Sequence, residues 1–199
     1  SELKRTIQIV SRVSGEKQLQ TFEAKGLIDV ISQYSFALDT LDEYDYQELT
    51  LKRLHLRQAV KITYDECENI ISKLKSKFSN SALFGKEKDT SFRSSIESLF
   101  HTFDNRELYP SIEEKCAILL YLIIKNHSFV DGNKRIAASI FIAFLSKNKF
   151  LFNSDGSKKI SDNELVALCL MIASSDPKEK DIILKVIVKL LSEKGKSII

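Results

Sequence analysis

Nine consecutive residues hold the side chains best suited to chemistry: His127-Ser128-Phe129-Val130-Asp131-Gly132-Asn133-Lys134-Arg135. Phosphate chemistry needs a base, a carboxylate for a divalent cation and an anion cradle, and this segment has a candidate for each. His127 is the candidate base, because imidazole exchanges its proton near neutral pH and can take one from an attacking hydroxyl. Asp131 is the candidate ligand for Mg²⁺ bridging phosphate oxygens. Gly132 lets an anion approach the backbone. Asn133 is expected to open a helix, whose first N–H groups lack internal partners and whose dipole is positive there. Lys134 and Arg135 add cations at the same end; they oppose the helix dipole and favour a ligand anion. Phe129 is expected to anchor the loop in the core. Taken singly, these residues are also those of an ordinary turn and helix cap.

The elements that position this segment are expected to be two buried helices. Ser111 and Glu114 have capping-box spacing after Pro110, and the run Cys116 to Ile124 is apolar nearly all round, as in a central helix. A second helix is expected from Asn133 past Phe144, with Ile136, Ile140, Phe141, Phe144 and Leu145 as its apolar positions. His101 to Pro110 mixes β-formers with the turn pair Asp104-Asn105 and reads as a small hairpin or irregular flap. Elsewhere helices are expected over 27–41, 63–78 (capped by Thr63 and Glu66), 91–100 and 161–173 (capped by Ser161 and Glu164), and from Asp176-Pro177 onward. Residues 1–22 are weakly specified, 42–45 and 85–89 read as connections, and Asn153 to Ser157 is the clearest turn. The sum is an all-α fold with at most one hairpin.

Composition supports a folded helical chain: of 199 residues, 43% are apolar and 29% charged, with only 6 Gly, 2 Pro and no Trp. A net charge of +3 is too mild to indicate a nucleic-acid binder. The lysines at 178, 180, 194 and 196, and the basic stretch Lys52 to Arg57 containing His55, read as solvated faces. Cys67, Cys116 and Cys169 lack metal-ligand spacing and read as buried free thiols of a reducing, cytoplasmic setting. No apolar run reaches the roughly 18 residues of a membrane span, and no secretory segment opens the chain. Ser1 is expected to mark a trimmed start that leaves room for an upstream domain. His101 reads as a surface residue, while Tyr44, Tyr46 and Tyr64 read either as modification sites or as partly buried aromatics.

The complete nine-residue string resembles the signature of the Fic/Doc family, His-x-Phe-x-Asp/Glu-Gly-Asn-Gly/Lys-Arg, which sits between two central helices. The likeness in layout runs from about Phe100 to Leu151. It implies a Fic-type helical bundle with a β-hairpin flap, divided here into a helical N-terminal extension over 1–75 and a catalytic domain over 76–199. It implies a protein adenylyltransferase that moves AMP from ATP, with Mg²⁺, onto a Ser, Thr or Tyr hydroxyl of a target protein. Carried onto this chain, His127 is the general base, Asp131 holds Mg²⁺, and Gly132, Asn133 and Lys134 line the phosphate site. Arg135 reaches distal phosphates, and Phe129 is the anchor. Thr102, Phe103, Asp104 and Leu108 belong to the flap that clamps the target by strand pairing.

Departures from the family pattern keep two alternatives open. Lys134 replaces the Gly of most AMP-transferring members and matches the Doc branch, which phosphorylates its target; Gly132 keeps the AMP-transferring form. Ala138 stands where many members have a second Arg, which favours a nucleotide-binding regulatory module with little catalysis. The inhibitory Ser/Thr-x-x-x-Glu-Gly/Asn helix has no match, since Ser11 to Glu16 has the wrong spacing. An inhibitory partner protein is one expected substitute for it.

Overall fold

Helix caps and apolar periodicity build the architecture. The computed structural model describes residues 2–16, 19–42, 58–77 and 81–192. Packing divides the chain into two compact units, 1–55 with 151–199, and 56–150. This grouping differs from the expected division at residue 75. The helix after Thr63 packs beside the motif, and the chain after residue 150 packs with the N-terminal helices.

In the unit 56–150 the described helices are α3 (Tyr64–Lys77), α4 (Ser91–Ser98), α5 (Ile112–Lys125) and α6 (Asn133–Lys147). A two-stranded antiparallel ribbon, β1 (Thr102–Phe103) and β2 (Arg106–Glu107), links α4 to α5. The capping box before α5 forms as expected: Ser111 Oγ accepts from Glu114 N, and Ser111 N donates to Glu114. Four isoleucines make α5 an indifferent helix former by propensity, at a penalty of at most about 0.7 kcal/mol each. Burial outweighs that. Ile112, Ile118 and Ile123 are 0% exposed, and each buried aliphatic chain contributes roughly 1.5–3 kcal/mol. Helix α6, with Ile136, Ile140, Phe141, Phe144 and Leu145 buried, packs on α5, while α4 also packs on α5 and α3 packs on α6. Thr63 and Glu66 form the expected cap of α3, and Glu66 also accepts from Lys147 of α6 at 2.5 Å.

The unit formed by 1–55 and 151–199 contains α1 (Glu2–Glu16), α2 (Thr21–Asp42), α7 (Asp162–Ser174) and α8 (Lys180–Leu191), the last preceded by a 3₁₀ turn at Pro177–Glu179. Helix α1 occupies a stretch that the sequence specifies weakly. It buries Thr6, Ile9, Val10 and Val13 at helical spacing against α2, α7 and α8. Arg12 clasps Glu179 with both guanidinium nitrogens at 3.0 Å and holds Glu179 below the usual carboxylate range. Burial of that amphipathic face supports a helix whose β-branched residues are indifferent helix formers. Helix α2 starts at Thr21, before the expected Leu27, and runs through Gly26. A Cβ there would lie 2.2 Å from the carbonyl oxygen of Asn163, so this glycine is a contact point between α2 and α7.

All three cysteines are free and buried, and burial pushes the Cys67 thiol up to about 12. Among the described residues, no helix is long and apolar enough to cross a membrane. The expectations for Tyr44, Tyr46, His55, Lys194 and Lys196 lie outside the described residues. So does the connection over residues 43–45, whose preceding residue Asp42 ends α2.

Candidate active site

The loop between α5 and α6 is built from the core outward. Phe129 is 0% exposed and stacks on Phe92 of α4 with ring centroids 4.8 Å apart, which makes it the anchor that its position suggests. Asn133, the first residue of α6, closes the loop across four residues. Its Oδ1 accepts from Phe129 N at 2.9 Å, and its Nδ2 donates to Phe129 O at 2.7 Å. The Asn133 side chain therefore staples the backbone, and its contribution to an anion cradle is limited to its main-chain N–H.

A strip expected to be a simple surface connection completes the loop. Backbone N–H groups of Gly85 and Lys88 donate to Asp131 O at 3.1 Å and Ser128 O at 2.9 Å, and Val130 N donates to Lys86 O at 2.8 Å. Residues 85–88 thus pair with the motif along its length. Just before them, Phe84 puts a fully buried ring beneath Gly132. Gly132 has φ +94°, and a Cβ on it would come within 2.4 Å of that ring, so position 132 requires glycine twice over. Gly132 also occupies the N-cap of α6 without a capping side chain. The start of α6 is thus a helix end with no side chain over its N-cap, a type of end that suits an anion.

His127 lies at the other end of the loop, exposed, with φ +47°. That left-handed geometry is unfavourable for a side-chain-bearing residue and must be held by its surroundings. Two serines of α4 hold its neighbours. Ser95 Oγ accepts from Asn126 Nδ2 at 3.0 Å, and Ser91 Oγ donates to Ser128 Oγ at 2.8 Å. Ser128 and Ser95 are buried while Ser91 is half-buried and Asn126 exposed, so each bond is anchored on its buried partner. The sequence singled out none of Ser91, Ser95, Asn126 and Phe84; a serine pair spaced i, i+4 on a short helix was the available signal.

The charged residues cluster on the exposed side. Arg135 lies 4.7 Å from the Phe84 ring centroid and 3.8 Å from Asp131 Oδ1, a long contact between half-exposed groups. Lys134 is exposed in the first turn of α6, which has no acidic residue. The loop thus brings Asp131, Gly132, Asn133, Lys134 and Arg135 together at one helix end. Among the described residues, no group of three or more His, Cys, Asp and Glu could hold a metal ion. Asp131 alone suits a cation that takes one carboxylate and draws its other ligands from phosphate and water, as Mg²⁺ does.

Thr102, Phe103, Asp104 and Leu108 sit on the hairpin and are all exposed, Phe103 at 76%. Asp104 and Asn105 both have positive φ, the geometry of a tight two-residue hairpin turn. His101 is exposed at the hairpin base, where its carbonyl accepts from Leu108 N. Tyr64 donates to Glu87 at 2.6 Å beneath the Arg93 guanidinium, and the Glu87 bond pushes its phenol pKa upward.

A family model described as the Fic/DOC family matches residues 51–145, a span that contains the whole motif loop, all of α5 and α6 as far as Leu145. No curated protein and no solved structure matches the chain.

Proposed function

We propose an activity that starts from family membership: through residues 51–145 the chain belongs to the Fic/DOC family. The family supports transfer of a nucleotidyl or phosphoryl group to proteins, and our reading is adenylyl transfer. His127 takes the proton of a Ser, Thr or Tyr hydroxyl on the target. The hydroxyl oxygen bonds to the α-phosphorus of ATP, the α–β bridging bond breaks, and pyrophosphate leaves. The N–H groups at the start of α6 receive phosphate oxygens beside Gly132, and Lys134 and Arg135 balance their charge. Asp131 would hold Mg²⁺, which supplies charge neutralisation of the phosphates. The exposed hairpin bearing Thr102, Phe103, Asp104 and Leu108 pairs with an extended target segment.

One observation carries this reading. An exposed histidine in a strained, braced conformation and an uncapped helix start without a side chain at Gly132 flank a single anchored loop. Lys134 favours a second reading, phosphoryl transfer, in which the hydroxyl attacks the γ-phosphorus and ADP leaves. A long cation at the mouth of the cradle would change which phosphate faces the nucleophile.

Labelling cell lysate with ATP marked on the α- or the γ-phosphate separates the two. With adenylyl transfer, α-label enters protein and γ-label does not. The His127→Ala variant is expected to lose about 10²–10⁴ in rate while still binding ATP. Label from γ alone, lost with the same variant, would replace the adenylyl reading by the phosphoryl one. ATP binding without transfer of either label would favour a nucleotide-binding regulatory module.

A further inference from the structure

Lys115, a buried charge outside the motif, stands in the first turns of α5 and is 1% exposed. A cation near a helix N-terminus opposes the dipole, and a buried ammonium is strongly disfavoured unless it is paired and hydrogen-bonded. Nothing in the helix itself explains a lysine at this position; the hairpin does. Lys115 Nζ donates to Glu107 Oε2 at 2.6 Å and to the Tyr109 carbonyl. It also lies 5.5 Å from the Phe100 ring centroid, and Lys61 stands over the same ring at 5.0 Å. Phe100 precedes β1, Glu107 is in β2 and Tyr109 follows it, so both stems of the hairpin converge on one ammonium.

The hairpin needs such a tether. Its strands are two residues each and fully exposed, too little to hold an orientation unaided. We propose that Lys115 is a positioning residue. It clamps the base of the hairpin so that its exposed edge meets a target protein segment in a fixed orientation, and it acts on target docking rather than on group transfer. The docking role rests on the transfer reading above; the clamp itself does not.

Two variants of the full chain test this: Lys115→Met, and Glu107→Ala on the exposed partner, which leaves the core intact if the first fails to fold. Amide exchange of Leu108, whose N–H bonds His101 O at 3.1 Å, reports the hairpin, and Ile118 in α5 is the control. Losing a hydrogen bond to a charged group should speed Leu108 exchange about tenfold or more, with Ile118 unchanged. In lysate labelling at graded lysate concentration, half-saturation should rise about tenfold, with maximal rate and ATP affinity unchanged. Unchanged Leu108 exchange in Glu107→Ala would overturn the clamp. Faster exchange with unchanged half-saturation would overturn the docking role and leave the transfer reading standing. No label from wild type would strike the transfer reading itself, and Leu108 exchange would then decide the clamp alone.

Discussion

Replacing Gly132 by alanine should damage both stability and nucleotide binding, and its cost has two separable parts. At φ +94° an L-residue meets the left-handed penalty of about 1–2 kcal/mol. Its Cβ would also sit 2.4, 2.7 and 3.0 Å from three atoms of the Phe84 ring, which is fully buried and has no solvent to retreat into. Overpacking of that kind costs about 1–3 kcal/mol, so the expected sum is about 2–5 kcal/mol, a large share of a typical domain's stability. Urea unfolding of Gly132→Ala, Phe84→Ala and the double variant measures each part. Phe84→Ala alone should lose about 3–5 kcal/mol, but in its background Gly132→Ala should retain only the backbone penalty. The coupling would then be about 1–3 kcal/mol. Because Arg135 lies over the same ring at 4.7 Å, Gly132→Ala should also weaken ATP binding. A loss below about 0.5 kcal/mol, or no coupling with Phe84, would refute the placement of that ring beneath the loop.

Further predictions concern the bracing of the loop and its supporting helices. Asn133→Ala removes both bonds to Phe129 and should cost about 1–3 kcal/mol in urea unfolding; an unaffected midpoint would mean that the staple is not a stabilising element. Ser95→Ala frees Asn126 beside His127 and should slow transfer about five- to tenfold while ATP affinity holds, as one lost hydrogen bond implies. Equal loss of ATP affinity would place Ser95 in general folding instead. Glu66 is held below its ordinary value of 4.5, first by the Lys147 hydrogen bond and then by the Thr63 backbone. The sign follows: the pair contributes above that value and is lost as pH falls through the lowered one. Between half-exposed groups it is worth only about 0.2–1 kcal/mol. Glu66→Gln should therefore be less stable than wild type at neutral pH and converge with it in acid; a constant gap across pH would reject the ion pair as the cause.

The features legible from residues alone are local. The capping boxes of α3, α5 and α7 follow from residues three apart, and each is seen in hydrogen bonds to the expected partner. Apolar saturation from Cys116 to Ile124 identified the central helix, and the nine-residue motif pointed to its family before any geometry. Phe129 as anchor was legible because a large aromatic in a short, otherwise mostly polar loop is best placed in the core. Other features depend on partners far apart in the chain, and no spacing rule reaches them. Residues 85–88 pair with 128–131, Ser91 and Ser95 reach Ser128 and Asn126 across 37 and 31 residues, and Arg12 holds Glu179 across 167. Helix α1 and the passage of α2 through Gly26 belong here too, since surfaces brought together by folding stabilise them against weak local preference. Asn133 shows the boundary most clearly. Its type and position at the helix start were readable, but an amide can face either a ligand or its own backbone. The turn of the loop, with Phe129 drawn into the core, gives that side chain to the backbone.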